Sequence, residues 1–337
     1  MTARKSNVEL LRILAMLMVI GVHFYAYETE VGGCFYEITE SFCIGGVNIF
    51  VMISAWFMTG RKSINIRKIV NLLIEVAFWG IIGFSLMVVF NMDDFSVKGL
   101  IKVIAPYFWG NRWFVEAYAI YFVFLPYLNL IVETISKRLH AVLLGIMFCL
   151  FCIWPTFLPN PPIDDYGYGF LHFIFLFMLV SYIKLYTAGR MPKKWICAAG
   201  YIVFSLISAA ESHAGMAVAW AYNNVVVVAA ALCLFMVFIQ MSFNCRTINI
   251  LASAAFGVFL IHTDGFFSEI IYGQLFRVQE VINGNIVKLM FSFFLCLPVF
   301  YILGWILEML RKIMFQFTVD KLLNRIKILN YEISVDS

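Results

Sequence analysis

Apolar residues along this chain run in long stretches separated by short polar segments. Ten stretches reach or approach membrane-spanning length, at about 8–27, 42–60, 69–91, 113–132, 140–158, 168–187, 195–210, 218–240, 249–267 and 287–311. A helix needs roughly 20 mostly apolar residues to cross the hydrocarbon layer, and the seventh stretch is the shortest. A bilayer forces backbone groups to pair within each segment. The runs are too long and too continuously apolar for the alternating strands of a transmembrane barrel. The pattern therefore predicts an all-α polytopic membrane protein with about ten transmembrane helices. Arg4 and Lys5 precede the first stretch, as in a secretory signal. That stretch exceeds a typical signal core and no small-x-small site follows it, so it reads as a retained helix. No Gly/Ser-rich linker or internal repeat is evident. Residues 1–317 read as one transmembrane domain. Residues 318–337 read as a polar, basic tail, a surface helix followed by a frayed end.

Charge placement sets the orientation. With ten alternating spans and a cytoplasmic N-terminus, only Lys98, Lys102, Arg112, Arg277 and Lys288 of the 24 lysines and arginines fall outside. Glu28, Glu30, Glu37, Glu40, Asp93, Asp94, Asp164 and Asp165 populate the outer loops. The positive-inside rule then puts both termini in the cytoplasm. Composition agrees. The 337 residues are 63% hydrophobic and only 13% charged, against about 25% charged in a soluble domain. A disordered chain, a soluble nucleic-acid binder and a secreted disulfide scaffold are excluded. Among the eight cysteines only Cys34 and Cys43, in the first outer loop, suggest a disulfide; the others lie in or beside apolar spans, where cysteine behaves as a small hydrophobe.

Ionisable groups inside a bilayer are expensive and usually functional. The first span carries Glu9, Arg12 and His23. Arg12 and His23 are eleven residues apart, which is about three turns and roughly 16 Å along a helix, so they share a face. Arg12 lies near the cytoplasmic interface and His23 in the outer half. The bland alternative is a snorkelling arginine and a packed histidine. In the second span, small residues at 45, 46, 54 and 55 permit close helix contact. Asn48 there needs a partner, and Ser54 sits in no nucleophile elbow. Arg61, Lys62, Arg67 and Lys68 form a basic cluster. It is either a lipid anchor or a phosphate-binding group in which arginine supplies bidentate contacts.

The fourth span opens Asn111-Arg112-Trp113-Phe114-Val115-Glu116. Trp113 suits the interfacial aromatic belt. Glu116 lies one turn deeper, at the depth of His23, and a carboxylate can orient an imidazole. His262 in the ninth span is also in the outer half, as is His172 at the start of the sixth. No spacing suggests a metal site. His140 and His213 read as loop residues, and Glu75 as an unexplained carboxylate in the inner half.

Asn7-Val8-Glu9-Leu10-Leu11-Arg12, followed after ten residues by His23, resembles the opening of the family-three membrane acyltransferases. Gly46-Val47 through Phe50-Val51 to Ser54 resembles that family's second-helix motif. Trp113-Phe114 resembles its fourth-helix motif, and Ser253 to His262 its late Ser-to-His segment. The likeness spans nearly the whole chain. Two departures stand out: Ser54-Ala55 replaces a frequent Ser-Gly, and Arg67-Lys68 lack the usual following proline.

The resemblance implies a bacterial inner-membrane enzyme that moves an acyl group from cytoplasmic acyl-CoA to a hydroxyl of an envelope glycan or lipid-linked saccharide. Acetyl-CoA or another acyl-CoA would be a co-substrate, with no tightly bound cofactor and membrane lipid as the surrounding partner. In that reading Arg12, Arg61, Lys62 and Arg67 hold the CoA phosphates, and His23 is the general base, oriented by Glu116. Asn48, Ser54, Trp113 and His262 line the substrate site. The rival reading is a transporter or flippase, which also needs polar groups at mid-membrane. Against it, the sequence shows no broken helix pair around the outer-half histidines.

Overall fold

The computed structural model describes residues 5–26, 32–104, 112–158, 160–161, 163–326, 329 and 331–334. Arg4, Glu28, Glu30 and Asn111 lie outside these residues. The chain is almost wholly helical. Helix α1 (Ser6–Tyr25) leads to α2 (Cys34–Cys43) and α3 (Gly46–Met58), which together form one span-length segment. Strand β1 (Ser63–Asn65) precedes α4 (Ile66–Val89), α5 (Val97–Ile104) and α6 (Trp113–Thr134). Helix α7 (Lys137–Phe148) continues through a π-helical turn (Cys149–Ile153) into α8 (Trp154–Phe157). Then come α9 (Phe170–Tyr186), α10 (Lys194–His213), α11 (Val225–Ile239), α12 (Arg246–Ala252) and α13 (Ala255–His262). Helix α14 (Gly265–Ser268) runs into a second π-helical turn (Glu269–Leu275). The described chain closes with α15 (Val278–Ile282), α16 (Ile286–Phe317), α17 (Val319–Leu323) and β2 (Glu332–Ser334).

Among the described residues, seven helical segments are long and apolar enough to cross a membrane: Ser6–Tyr25, Cys34–Met58, Ile66–Val89, Trp113–Thr134, Lys137–Phe157, Lys194–His213 and Ile286–Phe317. Arg246–His262 and Gly265–Leu275 pass only as a pair, bent by 89°. Helices α9 and α11 are apolar but shorter. Each apolar stretch of the sequence contains one of these helices or part of the pair. The bend overturns one expectation: a broken helix does stand beside an outer-half histidine, directly after His262.

Side-chain caps explain where several helices start. Asn65, Ser136, Asn224, Asp264 and Asn285 each accept a bond from the backbone N–H two or three residues on, opening α4, α7, α11, α14 and α16. Helices α1 and α3 form the centre. Helix α3 packs against α1, α9 and α11; α1 also meets α2, α12 and α16. A Cβ on Gly46 would lie 2.9 Å from Ala15 O and 3.1 Å from Met18 Cβ, so glycine sets how closely α3 approaches α1. The outer helices turn large apolar side chains outward, among them Phe291 and Phe294 of α16 and Val203 and Leu206 of α10. Such a surface is suited to lipid contact. The protein is a multi-pass membrane protein built from α-helices.

Three further expectations are corrected. Cys34 and Cys43 are the first and last residues of α2, about 13 Å apart along the helix axis. A disulfide needs Cα atoms within about 7 Å, and both thiols are free. His140 is a fully buried helical residue whose Nε2 lies 3.0 Å from Met178 O; of the two supposed loop histidines only His213 is exposed, near Glu37. The tail does not simply fray. Strand β2 pairs antiparallel with β1, matching Ser63 to Ser334 and Asn65 to Glu332, and Ser63 Oγ donates to Glu332 Oε2 at 2.8 Å.

Candidate active site

Helix α1 carries His23 in its last turn, and α13 ends on His262. The two rings meet edge to face, with centroids 4.7 Å apart and planes at 87°. His23 Nδ1 lies 2.9 Å from Val19 O, and His262 Nδ1 lies 3.3 Å from Val258 O. A carbonyl oxygen only accepts, so each Nδ1 carries its ring proton. His262 Nε2, 3.4 Å from His23 Nδ1, therefore presents a lone pair to the same N–H. His23 Nε2 keeps its lone pair, which leaves it the nitrogen able to take a proton from a substrate.

Glu116 does not make the contact expected of it. His23 Nδ1 is occupied by Val19 and His262, and Glu116 Oε1 is buried without a hydrogen-bond partner. His262 holds the orienting position instead. The expectation rested on depth along two helices, and depth does not say which way each helix turns its side chain.

Below the histidines lies a cavity of about 390 Å³. Arg12 and Ser253 line it, as do Met58 and Leu72, Ser54 and Tyr118, and Val19, Phe114 and Phe259. Phe259 sits 5.4 Å from the His262 ring, and Val19 is one turn before His23. The cavity thus extends from Arg12 to Val19 and Phe259, which neighbour the histidine pair, while the histidines themselves do not line it. Arg12 Nη1 donates to Glu9 Oε2 at 2.7 Å, which fixes the guanidinium at its edge.

Arg61, Lys62 and Arg67 come together as the sequence suggested, but in a separate cavity of about 530 Å³ with Lys68 and Glu332. The two cavities share no lining residue and adjoin along the chain: Arg61 N donates to Met58 O at 3.0 Å, and Asn71 of one precedes Leu72 of the other. One cavity is basic and open to polar ligands; the other is mostly hydrocarbon.

Asn48 proves to be a tie within the fold. Its Nδ2 donates to Tyr222 O at 2.8 Å and its Oδ1 accepts from His172 Nε2 at 2.9 Å. It is fully buried, and both its polar side-chain atoms are engaged by other helices and loops of the fold. Ser54 does face the apolar cavity, 3.0 Å from the Tyr118 hydroxyl. Trp113 packs against Tyr168 and Tyr222, at 4.4 and 5.5 Å between ring centroids. Burial, and next the Glu40 carboxylate, push the Tyr168 phenol up; burial, then Tyr168 and Glu40, do the same to Tyr222. Both phenols stay protonated donors at neutral pH.

Several residues that hold this site escaped sequence reading. Lys184 Nζ donates to Trp56 O and Thr59 O, capping the C-terminal end of α3 with a cation. Asn129 Nδ2 donates to Met58 O and Arg61 O, and its Oδ1 accepts from Gly60 N, which sets the turn beneath the basic cluster. Arg112 pairs with Asp264 at 3.4 Å across the bend after His262. Glu75 finds its partner in Arg311, at 3.2 Å; Arg311 also binds fully buried Glu308, which accepts from Trp79 Nε1 at 3.1 Å. The only sequence signal for these groups was a polar residue inside an apolar run.

A family profile described as "Acyltransferase domain" matches residues 5–307. Neither a curated protein nor a solved structure matches the chain. The match takes in both histidines and every lining residue named for the two cavities except Glu332. The chain belongs to acyltransferase family 3 and is a membrane acyltransferase.

Proposed function

We infer that the protein transfers an acyl group, acetyl in the simplest case, from cytoplasmic acyl-CoA to a hydroxyl of an envelope glycan or lipid-linked saccharide. In this reading the protein has ten crossings, counting α9, α11 and the bent pair, with both termini in the cytoplasm of a bacterial inner membrane. The cavity running from Arg12 toward the histidine pair carries the proposal. It offers a thioester a route into the membrane from the side where basic residues gather.

Arg61, Lys62 and Arg67 hold the nucleotide phosphates in the basic cavity, and Arg12 stands at the mouth of the apolar one. The acceptor hydroxyl approaches from the outer side, near Trp113. His23 Nε2 takes its proton as the oxygen attacks the thioester carbonyl. The tetrahedral species collapses, the C–S bond breaks, and the imidazolium returns its proton to the departing thiolate. General base catalysis of this kind contributes about 10²–10⁴-fold. The transporter reading loses its support because the family is an acyltransferase family.

Labelled acetyl-CoA, purified protein and a cell-surface glycan preparation test the proposal. Wild type should label the glycan and release CoA only with acceptor present. His23→Ala should lose transfer by at least about 10²-fold. Equal transfer by the two proteins would remove His23 as the base.

A further inference from the structure

Hydrocarbon walls most of the cavity of about 390 Å³ that Arg12 lines. Its polar side chains are Arg12, Ser54, Tyr118 and Ser253. Arg12 is engaged by Glu9, and the Ser253 hydroxyl donates to Ile250 O at 2.7 Å. Ser54 and Tyr118 are different. Their hydroxyls lie 3.0 Å apart, so one donates to the other and the second keeps a proton to offer. Tyr121, three residues along α6, is fully buried and brings its ring within 5.9 Å of Tyr118, which helps hold the Tyr118 ring in place.

The notch has a definite depth. Phe114, one turn nearer the outside than Tyr118, lies 5.0 Å from Phe259, which in turn lies 5.4 Å from His262. Tyr118 therefore sits about one turn, ~5.4 Å, inward of the level at which the aromatic rings meet the histidine pair.

We propose that Ser54 and Tyr118 form a polar notch that binds an amide of the donor's pantetheine arm. This rests on the reading that the donor is acyl-CoA. The methylenes of such an arm suit the apolar walls, but its amides cannot enter them unpaired. An amide offers both a carbonyl acceptor and an N–H donor, and the notch offers both complements. The amide nearest the sulfur is two methylenes from it. Held at the notch, it lets the thioester reach about one turn further out, to the rings beneath His23. The notch thus meters how far the acyl group extends.

The test uses the full chain in lipid nanodiscs with three donors. These are acetyl-CoA, the one-amide fragment S-acetyl-N-acetylcysteamine, and S-propyl thioacetate, which has no amide. Wild type should prefer the amide-bearing fragment in kcat/KM. Tyr118→Phe should cut that preference about three- to tenfold, the worth of one hydrogen bond, and raise KM for acetyl-CoA. Ser54→Ala serves as the second variant should Tyr118→Phe not fold, and melting temperature reports folding for both. Wild type that uses acetyl-CoA but treats the two fragments alike overturns the notch alone, as does a folded variant with unchanged preference. Wild type that accepts no acyl-CoA overturns the donor reading and the notch with it.

Discussion

His23 and His262 divide one task between two nitrogens. Val19 O and Val258 O fix both Nδ1 protons, so His23 Nε2 keeps the lone pair that the proposed reaction uses, while His262 Nε2 accepts from the His23 ring. His262 is a positioning residue that acts through His23. His262→Ala should therefore lower kcat by about 10–100-fold, a fraction of the full general-base contribution, with KM for acyl-CoA within twofold. His262→Gln, which can present an oxygen acceptor, should recover part of kcat. Steady-state kinetics check both, and a loss confined to KM would refute the positioning role. Arg12 and His23 were legible in the sequence because they sit on one helix, where eleven residues determine their relative facing. The partner of His23 was not, because nothing local tells how α13 and α6 turn against α1. The partners of Asn48 were not legible for the same reason: both lie more than a hundred residues away.

Between elements, the decisive contact is α16 on α13. A methyl on Gly257 would overlap the carboxyl carbon of Glu308, and that carboxylate cannot easily withdraw because Arg311 and Trp79 hold it. Lys312 Nζ adds a bond to Ser253 O at 2.6 Å, and Tyr301 OH one to Leu251 O at 3.1 Å. Helix α16 thereby clasps the short helices that deliver His262. Gly257→Ala should cost about 1–3 kcal/mol by overpacking, seen as a lower Tm in detergent, together with reduced transfer. Gly145→Ala, where nothing lies within 4 Å, should leave both unchanged. Hydropathy found every apolar element here, because burial in lipid needs only length and composition. It missed the 89° break after His262, because only Thr263, Asp264 and Gly265 interrupt the run before apolar residues resume at Phe266, and the Asp264 cap that turns the chain acts with a distant partner, Arg112.

At the scale of the molecule, the two cavities differ in chemistry, with charges in one and hydrocarbon in the other, as the proposed donor requires. Glu332 places a carboxylate among the cations of the first. Glu332→Gln should therefore lower KM for acyl-CoA by about two- to fivefold at low salt, the scale of an exposed charge pair. The effect should shrink as ionic strength rises; a salt-independent change would point to backbone disturbance instead. The membrane class, the asymmetry of charge and the acyltransferase likeness were all readable from the chain. The β1–β2 pair was not, since three-residue strands give no periodic signal and these two lie far apart in sequence. That separation has a temporal meaning. Ser63 and Glu332 are 269 positions apart, so β1 leaves the ribosome long before its partner exists. The basic cavity must wait, unfinished, while nearly every later helix is made and inserted. The site that would receive a charged donor is then closed last, after the apolar route it feeds has been assembled.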